Sequence, residues 1–313
     1  MRRFAALAVL FATAAAAQPG AWRPAPVTGA TEPSEVVAHS AATDWRPVDP
    51  ENLLVMELAD GAKVYIELAP DFAPVHVANI RRYARGGWWN GATIYRVQDN
   101  YVTQWGNGDA SVPLPQGVVA RPPAEYERGS EGLAIRPLGF PDSYAPAAGH
   151  VNGWPVAYDP ERSSAWLTHC YASVGVGRDL APDTGTGGEL YAVIGHAPRP
   201  LDRNIANVGR VIEGMAALAA RQRGTGNLGF YQAERGETPV PIRSVRVAAD
   251  MPAAERPQFE AMRTDTETFS AYVRGRANRG GAFFNVPAGG VDICNVNVPV
   301  RRRPSAAPSE GSS

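Results

Sequence analysis

Two cysteines, five histidines and a formal net charge of -1 in 313 residues exclude several classes of function from the outset. Thirty Lys plus Arg are offset by thirty-one Asp plus Glu, so the chain has no electrostatic footprint for a nucleic acid or an anionic membrane, and no nucleic-acid partner is expected. The dense basic run Arg301-Arg302-Arg303 borders the Pro/Ser-rich end, Pro304 to Ser313, and carries no interleaved aromatics, which reads as a solvated tail. His150, His169 and His196 lack regular spacing and are read as structural, not as metal ligands. A nucleophile-elbow motif and a phosphate-loop pattern are also missing, so nucleophilic and nucleotide chemistry have no anchor. With two cysteines, Cys170 and Cys294, one bridge is allowed and none is required. A buried unpaired thiol is the competing reading, and the sequence leaves both open.

Long apolar runs are scarce too. The first residues combine a charged start, Arg2 and Arg3, an apolar run from Phe4 to Phe11 and a small-residue end from Ala12 to Ala17. The run is shorter than the ~20 residues a spanning helix needs. It predicts a cleaved signal peptide over residues 1–17, export with the periplasm as the expected destination, and no stable membrane span after cleavage. Such a compartment is oxidising and would permit the bridge.

What remains is a globular composition, 44% hydrophobic and 19% charged, long enough for one sizeable core with appended structure. Residues 18–51 are rich in Pro and Ala and predict a linker or irregular segment. Leu53 to Leu58 and Val64 to Leu68 are two apolar runs joined at Asp60-Gly61 and predict a hairpin. Ala73-Pro74 opens a helix carrying Val77, Ile80 and Ala84, which Gly86-Gly87 stops. Two short strands around Asp99-Asn100 follow. A long Gly/Pro-rich region from Gly106 to about Arg162 then argues for loops with local function or for an insertion, taken at about 131–165, and not for a second core. Apolar segments return at Ala165 to Val174, Leu190 to Ile194 and Val208 to Val211, a short helix at Met215 to Ala220, and a strand at Ile242 to Ala248. Many strands and few helices predict a closed antiparallel barrel. Residues 251–313 form a C-terminal extension with a helix at Phe259 to Val273, an apolar strand at Val291 to Val298 and a disordered tail.

Motif by motif, residues 52–250 resemble the cyclophilin-type peptidyl-prolyl cis-trans isomerases. The resemblance is carried by Val64-Tyr65-Ile66-Glu67-Leu68-Ala69-Pro70, Ala73-Pro74 with Asn79, Gly87-Trp88-Trp89-Asn90-Gly91, Ile94-Tyr95-Arg96-Val97 and Tyr101-Val102-Thr103-Gln104-Trp105-Gly106. Looser matches follow at Pro122 to Tyr126, Gly188-Glu189-Leu190-Tyr191, Leu201-Asp202 and Val208 to Met215. The combination is specific where single pieces are weak. The implied fold is mainly β, an eight-stranded antiparallel barrel capped by two helices. The implied activity is rotation about X-Pro bonds, which breaks no bond and needs no cofactor.

The resemblance also implies site residues. Arg96 falls at the catalytic arginine, a permanently charged fork of donors, and Gln104 would orient it and hold the substrate carbonyl. Tyr101, Val102 and Tyr191 fall at the hydrophobic pocket, with tyrosines where phenylalanine is usual, and Leu201 keeps the adjacent apolar position. Ile205 stands where many members have His or Tyr, and Pro200 where some have Trp. Ala172-Ser173 is read at the Ala-Asn of the substrate-binding strand. Glu189 stands where Gln is usual, free to pair with Arg96, to select basic peptides or to be merely solvated. Each residue alone has a plainer reading: a surface ion pair for Arg96, strand packing for the aromatics.

Three functions are therefore open: an isomerase assisting exported clients through their proline-containing segments, a weakly active or inactive peptide-binding or chaperone module of the cell envelope, and an envelope interaction protein acting through the insertion and extension.

Overall fold

The computed structural model describes residues 32–107, 111–280 and 283–303; the predicted signal peptide and the tail from 304 lie outside them. In chain order the elements are α1 (Pro33–Ala38), β1 (Trp45–Pro47), β2 (Leu53–Leu58), β3 (Lys63–Leu68), α2 (Pro74–Arg85), β4 (Thr93–Val97), β5 (Val102–Gly106), β6 (Arg128–Gly129), β7 (Arg136–Pro137), β8 (Ala147–Val151), β9 (Trp154–Asp159) and β10 (Ser164–Leu167). They continue with β11 (Ser173–Val176), β12 (Leu190–Val193), β13 (Asn207–Glu213), α3 (Met215–Ala219), β14 (Val240–Val247), β15 (Phe259–Met262), α4 (Glu267–Ala277) and β16 (Val300–Arg302).

Eight strands close into a barrel in the order β11-β12-β5-β4-β14-β2-β3-β13, with antiparallel neighbours throughout. The β2–β3 hairpin turns where the Asp60 carboxylate accepts the Ala62 N–H at 3.0 Å and Gly61 takes φ +86°, a conformation that favours glycine. Interior positions such as Leu54, Met56, Val64, Ile66, Ile94, Trp105, Val174 and Val208 are buried in one cluster, to which α2 contributes Val77, Ile80 and Tyr83 and α3 contributes Leu218. Ala73 offers no side-chain cap to α2. Instead Glu125, from the loop beyond β5, accepts the N–H groups of Val75 and His76 at 2.8 and 2.9 Å, placing a carboxylate on the positive end of the helix. Asn79 of α2 bonds the backbones of Val119 and Thr186, so the helix also orders the loop between β11 and β12.

The region read as an insertion of loops differs from expectation. Strands β6-β10-β9-β8-β7 form a five-stranded antiparallel sheet, and Val151, Trp154, Val156 and Leu167 bury against Ala69 and Phe72 of the barrel. Two of its strands are only two residues long, and hydrophobic periodicity cannot register on so short a segment.

The termini also pair. Residues 33–51, read as an irregular linker, contain α1 and β1; Trp45 lies opposite Met262, and β1-β15-β16 form a three-stranded sheet. The predicted helix over Phe259 to Val273 is corrected: Phe259–Met262 is the middle strand of that sheet, and α4 starts after Thr266, whose hydroxyl caps the Phe269 N–H at 3.1 Å. The strand expected at Val291 to Val298 is a 3-10 turn, Ile293–Asn295, followed by β16. A shared cluster of Trp45, Leu138, Ala148, Phe269, Tyr272 and Val296 joins the termini to the insertion. Cys170 and Cys294 are disulfide-bonded, tying the approach to β11 to the extension across a sequence separation of 124.

Candidate active site

The β4–β5 hairpin sets Arg96 opposite Gln104, and this register brings their side chains together on the barrel's outer face. Arg96 donates to Gln104 Oε1 at 2.8 Å, to Gln98 Oε1 at 2.6 Å and to the Leu228 carbonyl at 2.7 Å. All three acceptors are neutral. The guanidinium is thus oriented without a carboxylate to neutralise it, and burial lowers its pKa from the ordinary arginine value. Aromatic rings flank it, the centroids of Tyr101 and Phe230 lying 6.0 and 5.5 Å from Cζ.

Gln104 is held in turn. Its Nε2 donates to Tyr95 Oη at 2.7 Å, and the Tyr95 hydroxyl donates to Glu189 Oε2. Glu189 therefore meets Tyr95, not Arg96 or open solvent, and burial raises its carboxyl above the usual range. Burial, with the Glu189 charge as the next cause, raises Tyr95 as well. Gly106 makes room for this contact, since a Cβ there would sit 1.9 Å from Glu189 Oε2.

Beside the arginine lies an apolar wall. Val102, Tyr191 and Val193 are buried, with Tyr101, Leu201 and Ile205 packed against them. Tyr191 and Gln104 are cross-strand partners, which places the wall next to the polar chain. The tyrosine hydroxyl fits because Gly175 faces it: a Cβ at Gly175 would fall 2.2 Å from Tyr191 Oη. Together these residues line an open groove of about 610 Å³.

Arg96, Gln104, Tyr101, Val102, Glu189, Tyr191, Leu201 and Ile205 all line it; Ser173 does not. The Ser173 hydroxyl donates to the Thr168 carbonyl and accepts the Cys170 N–H, both at 3.0 Å, on the side of the strand facing a separate cavity of about 250 Å³. The reason is local: Ala172 takes φ +73°, so the turn over residues 168–172 is wound more tightly than a continuous strand. Gly177 is the residue of this segment that reaches the groove. Residues 131–165 contribute no lining residue to the groove.

Sequence reasoning also missed the opposite lip, Leu228 and Phe230. Phe230 stacks on Tyr95 with centroids 5.8 Å apart, and it forms an isolated bridge with Arg96. The available signal was an apolar pair flanking Gly229 within a polar stretch; Gly229 has φ +80°, and a Cβ there would meet the Gln98 backbone at 2.5 Å.

Residues 53–247 match the family model described as cyclophilin type peptidyl-prolyl cis-trans isomerase/CLD. A probable peptidyl-prolyl cis-trans isomerase of Brucella suis is 44% identical over 59 residues, 19% of this chain and 30% of that protein. Peptidyl-prolyl cis-trans isomerase B of Bacillus subtilis is 43% identical over 49 residues, 16% of this chain and 34% of that protein. The chain thus spans about a third of the length of these curated relatives. The crystal structure of cyclophilin AquaCyp293 from Hirschia baltica superposes with a TM-score of 0.65 at 26% identity, covering 84% of this chain and 95% of that one.

Proposed function

The chain belongs to the cyclophilin-type peptidyl-prolyl cis-trans isomerase family, matched over residues 53–247 of 313, and from that membership we propose that it catalyses cis-trans isomerisation of X-Pro bonds in peptide segments laid along the Arg96 groove. One observation carries the reading: a charged guanidinium held by neutral acceptors directly beside an apolar wall.

The barrier to rotation, ~20 kcal/mol, arises from conjugation of the amide nitrogen with its carbonyl. In the planar ground state the prolyl nitrogen has no lone pair to offer a donor. As the bond twists, the nitrogen becomes pyramidal and basic, and a hydrogen bond to it forms in the transition state alone, which is the condition for raising turnover. Arg96 has five N–H donors; three are used by Leu228, Gln104 and Gln98, and two are left for substrate. Val102, Tyr101, Tyr191, Leu201 and Ile205 receive the proline ring, and this apolar wall keeps water from competing for the guanidinium on that side. The step consumes no cofactor and transfers no group.

A role in folding exported clients is supported by the signal-like first residues and by a disulfide that suits an oxidising compartment. X-Pro isomerisation is slow enough to become the rate-limiting step of folding. Exchange NMR on a proline-containing tetrapeptide, with wild type and Arg96→Ala side by side, tests the activity. Equal, uncatalysed exchange in both would sink it in favour of a peptide-binding module, a reading to which the apolar Ile205 lends support. Fractionation of cells expressing the full chain tests export, and retention in the cytoplasm would overturn it.

A further inference from the structure

The apolar wall does not end at the groove. Behind Tyr191 a run of buried polar side chains leads away from it. His169 is fully buried, and its Nε2 lies 3.1 Å from Tyr191 Oη; its Nδ1 and its backbone N–H meet Asp202 Oδ1 at 3.0 and 2.8 Å. Asp202 Oδ2 accepts from Arg199 Nε at 2.5 Å, and Arg199 then makes a two-pronged contact with Asp142 at 2.9 and 3.0 Å. The side chains of Arg199, Asp202 and Asp142 are 2%, 6% and 1% exposed. Asp142 belongs to the insertion, in the connection from β7 to β8, and the ring of its neighbour Tyr144 covers Arg199 at 5.1 Å.

We propose that Asp142 and Arg199 are positioning residues of the groove: the insertion sets the shape of the proline-ring wall through the chain Asp142, Arg199, Asp202, His169 and Tyr191. This rests on the isomerase reading of the groove. Its physical basis is that each link has one satisfactory arrangement. With the Asp202 carboxylate at Nδ1 that nitrogen donates, and the ring so oriented holds Nε2 against the Tyr191 hydroxyl, which fixes the tyrosine's direction. Arg199 and Asp202 also bracket the turn bearing Leu201, whose carbonyl accepts the Ile205 N–H at 3.2 Å. Three members of the wall, Tyr191, Leu201 and Ile205, therefore depend on a single ion-pair cluster. Burying Arg199 with two carboxylates is costly to assemble for stability alone, since apolar residues of similar size often serve as well. A bidentate guanidinium does give geometric specificity. The cluster also accounts for a coupled departure from the family pattern: a tyrosine in place of phenylalanine requires both room, at Gly175, and a partner, His169.

The test is Asp142→Asn in the full chain, assayed by KM, kcat and peptide Kd, with the ¹⁵N shifts of the His169 ring as a second readout. KM and Kd are expected to rise roughly two- to tenfold, the scale of one buried hydrogen bond, with kcat changed less than about twofold and the His169 ring shifts displaced. A lowered melting temperature with unchanged KM, Kd and His169 shifts would reduce the cluster to a structural ion pair and overturn the proposal. Tyr144→Ala, at a 51% exposed position, gives a milder version should Asp142→Asn not fold: it uncovers Arg199 and should raise Kd in the same direction. The isomerase reading fails separately, if wild type does not accelerate exchange. Kd and the His169 shifts then still decide the positioning claim, because neither needs turnover.

Discussion

Replacing both cysteines, Cys170→Ala with Cys294→Ala, removes the covalent tie between the barrel and the extension. The tie spans 124 residues of chain, and for a loop of that length the loss of unfolded-state entropy amounts to about 5 kcal/mol of stability. The noncovalent anchors, the β1-β15-β16 sheet and the cluster around Trp45 and Phe269, are present in both proteins, so the difference isolates the bridge. At about 2–4 °C per kcal/mol for chains of this size, the melting temperature should fall by about 10 °C or more. Guanidinium unfolding followed by the fluorescence of the seven tryptophans gives the midpoint and slope together, and the midpoint should drop by a wide margin. Two reactive thiols in the denatured, unreduced wild type, or coincident unfolding curves, would refute the reasoning.

Two further outcomes follow from buried groups. Glu67 lies between Arg210 and Arg46 at 2.7 and 2.8 Å; burial pushes its carboxyl up, but the two guanidinium groups outweigh burial and hold it below the usual value of 4.5. A carboxyl with a depressed folded pKa contributes stability that is complete above the unfolded value and is lost as pH falls through the folded value. Glu67→Gln should therefore cost about 3–5 kcal/mol at neutral pH, and the gap to wild type should narrow below about pH 4.5; a gap constant with pH contradicts the assignment. Tyr95→Phe removes the hydroxyl between Gln104 and Glu189, and kcat/KM should fall about five- to tenfold in the exchange assay as Gln104 loses its orientation; unchanged kinetics would remove Tyr95 from the site.

Much of the barrel is legible in the chain because its hairpins are local: Leu53–Leu58 and Lys63–Leu68 are apolar runs on either side of a turn whose residues specify it. The pair Arg96 and Gln104 is legible through the resemblance of its motif to the family, and the structure sets the two opposite each other across one hairpin. What escaped was non-local or irregular. Trp45 pairs with Met262 more than two hundred residues away, and neither segment is long enough to signal a strand. Ser173 reads as a groove residue by its likeness to the family's Ala-Asn, but the strand begins only after a left-handed Ala172, which turns Ser173 away from the groove. Glu189 read as a candidate partner for Arg96 because sequence gives no sign that Gly106 opens a space for it next to Tyr95. The insertion looked like loops because its sheet is stabilised by packing on Phe72 and Ala69, residues that precede it by more than fifty positions.

The central claim concerns one side chain, and catalysed exchange of a proline-containing peptide measures it most directly. Wild type should accelerate cis-trans exchange in proportion to enzyme concentration, and Arg96→Ala should lower kcat/KM by about 100-fold or more while keeping its fold and its affinity for the peptide, because the lost donor acts on the twisted amide alone. Equal rates in the two proteins, whether both fast or both at the uncatalysed value, would contradict the assignment of Arg96 as the catalytic donor.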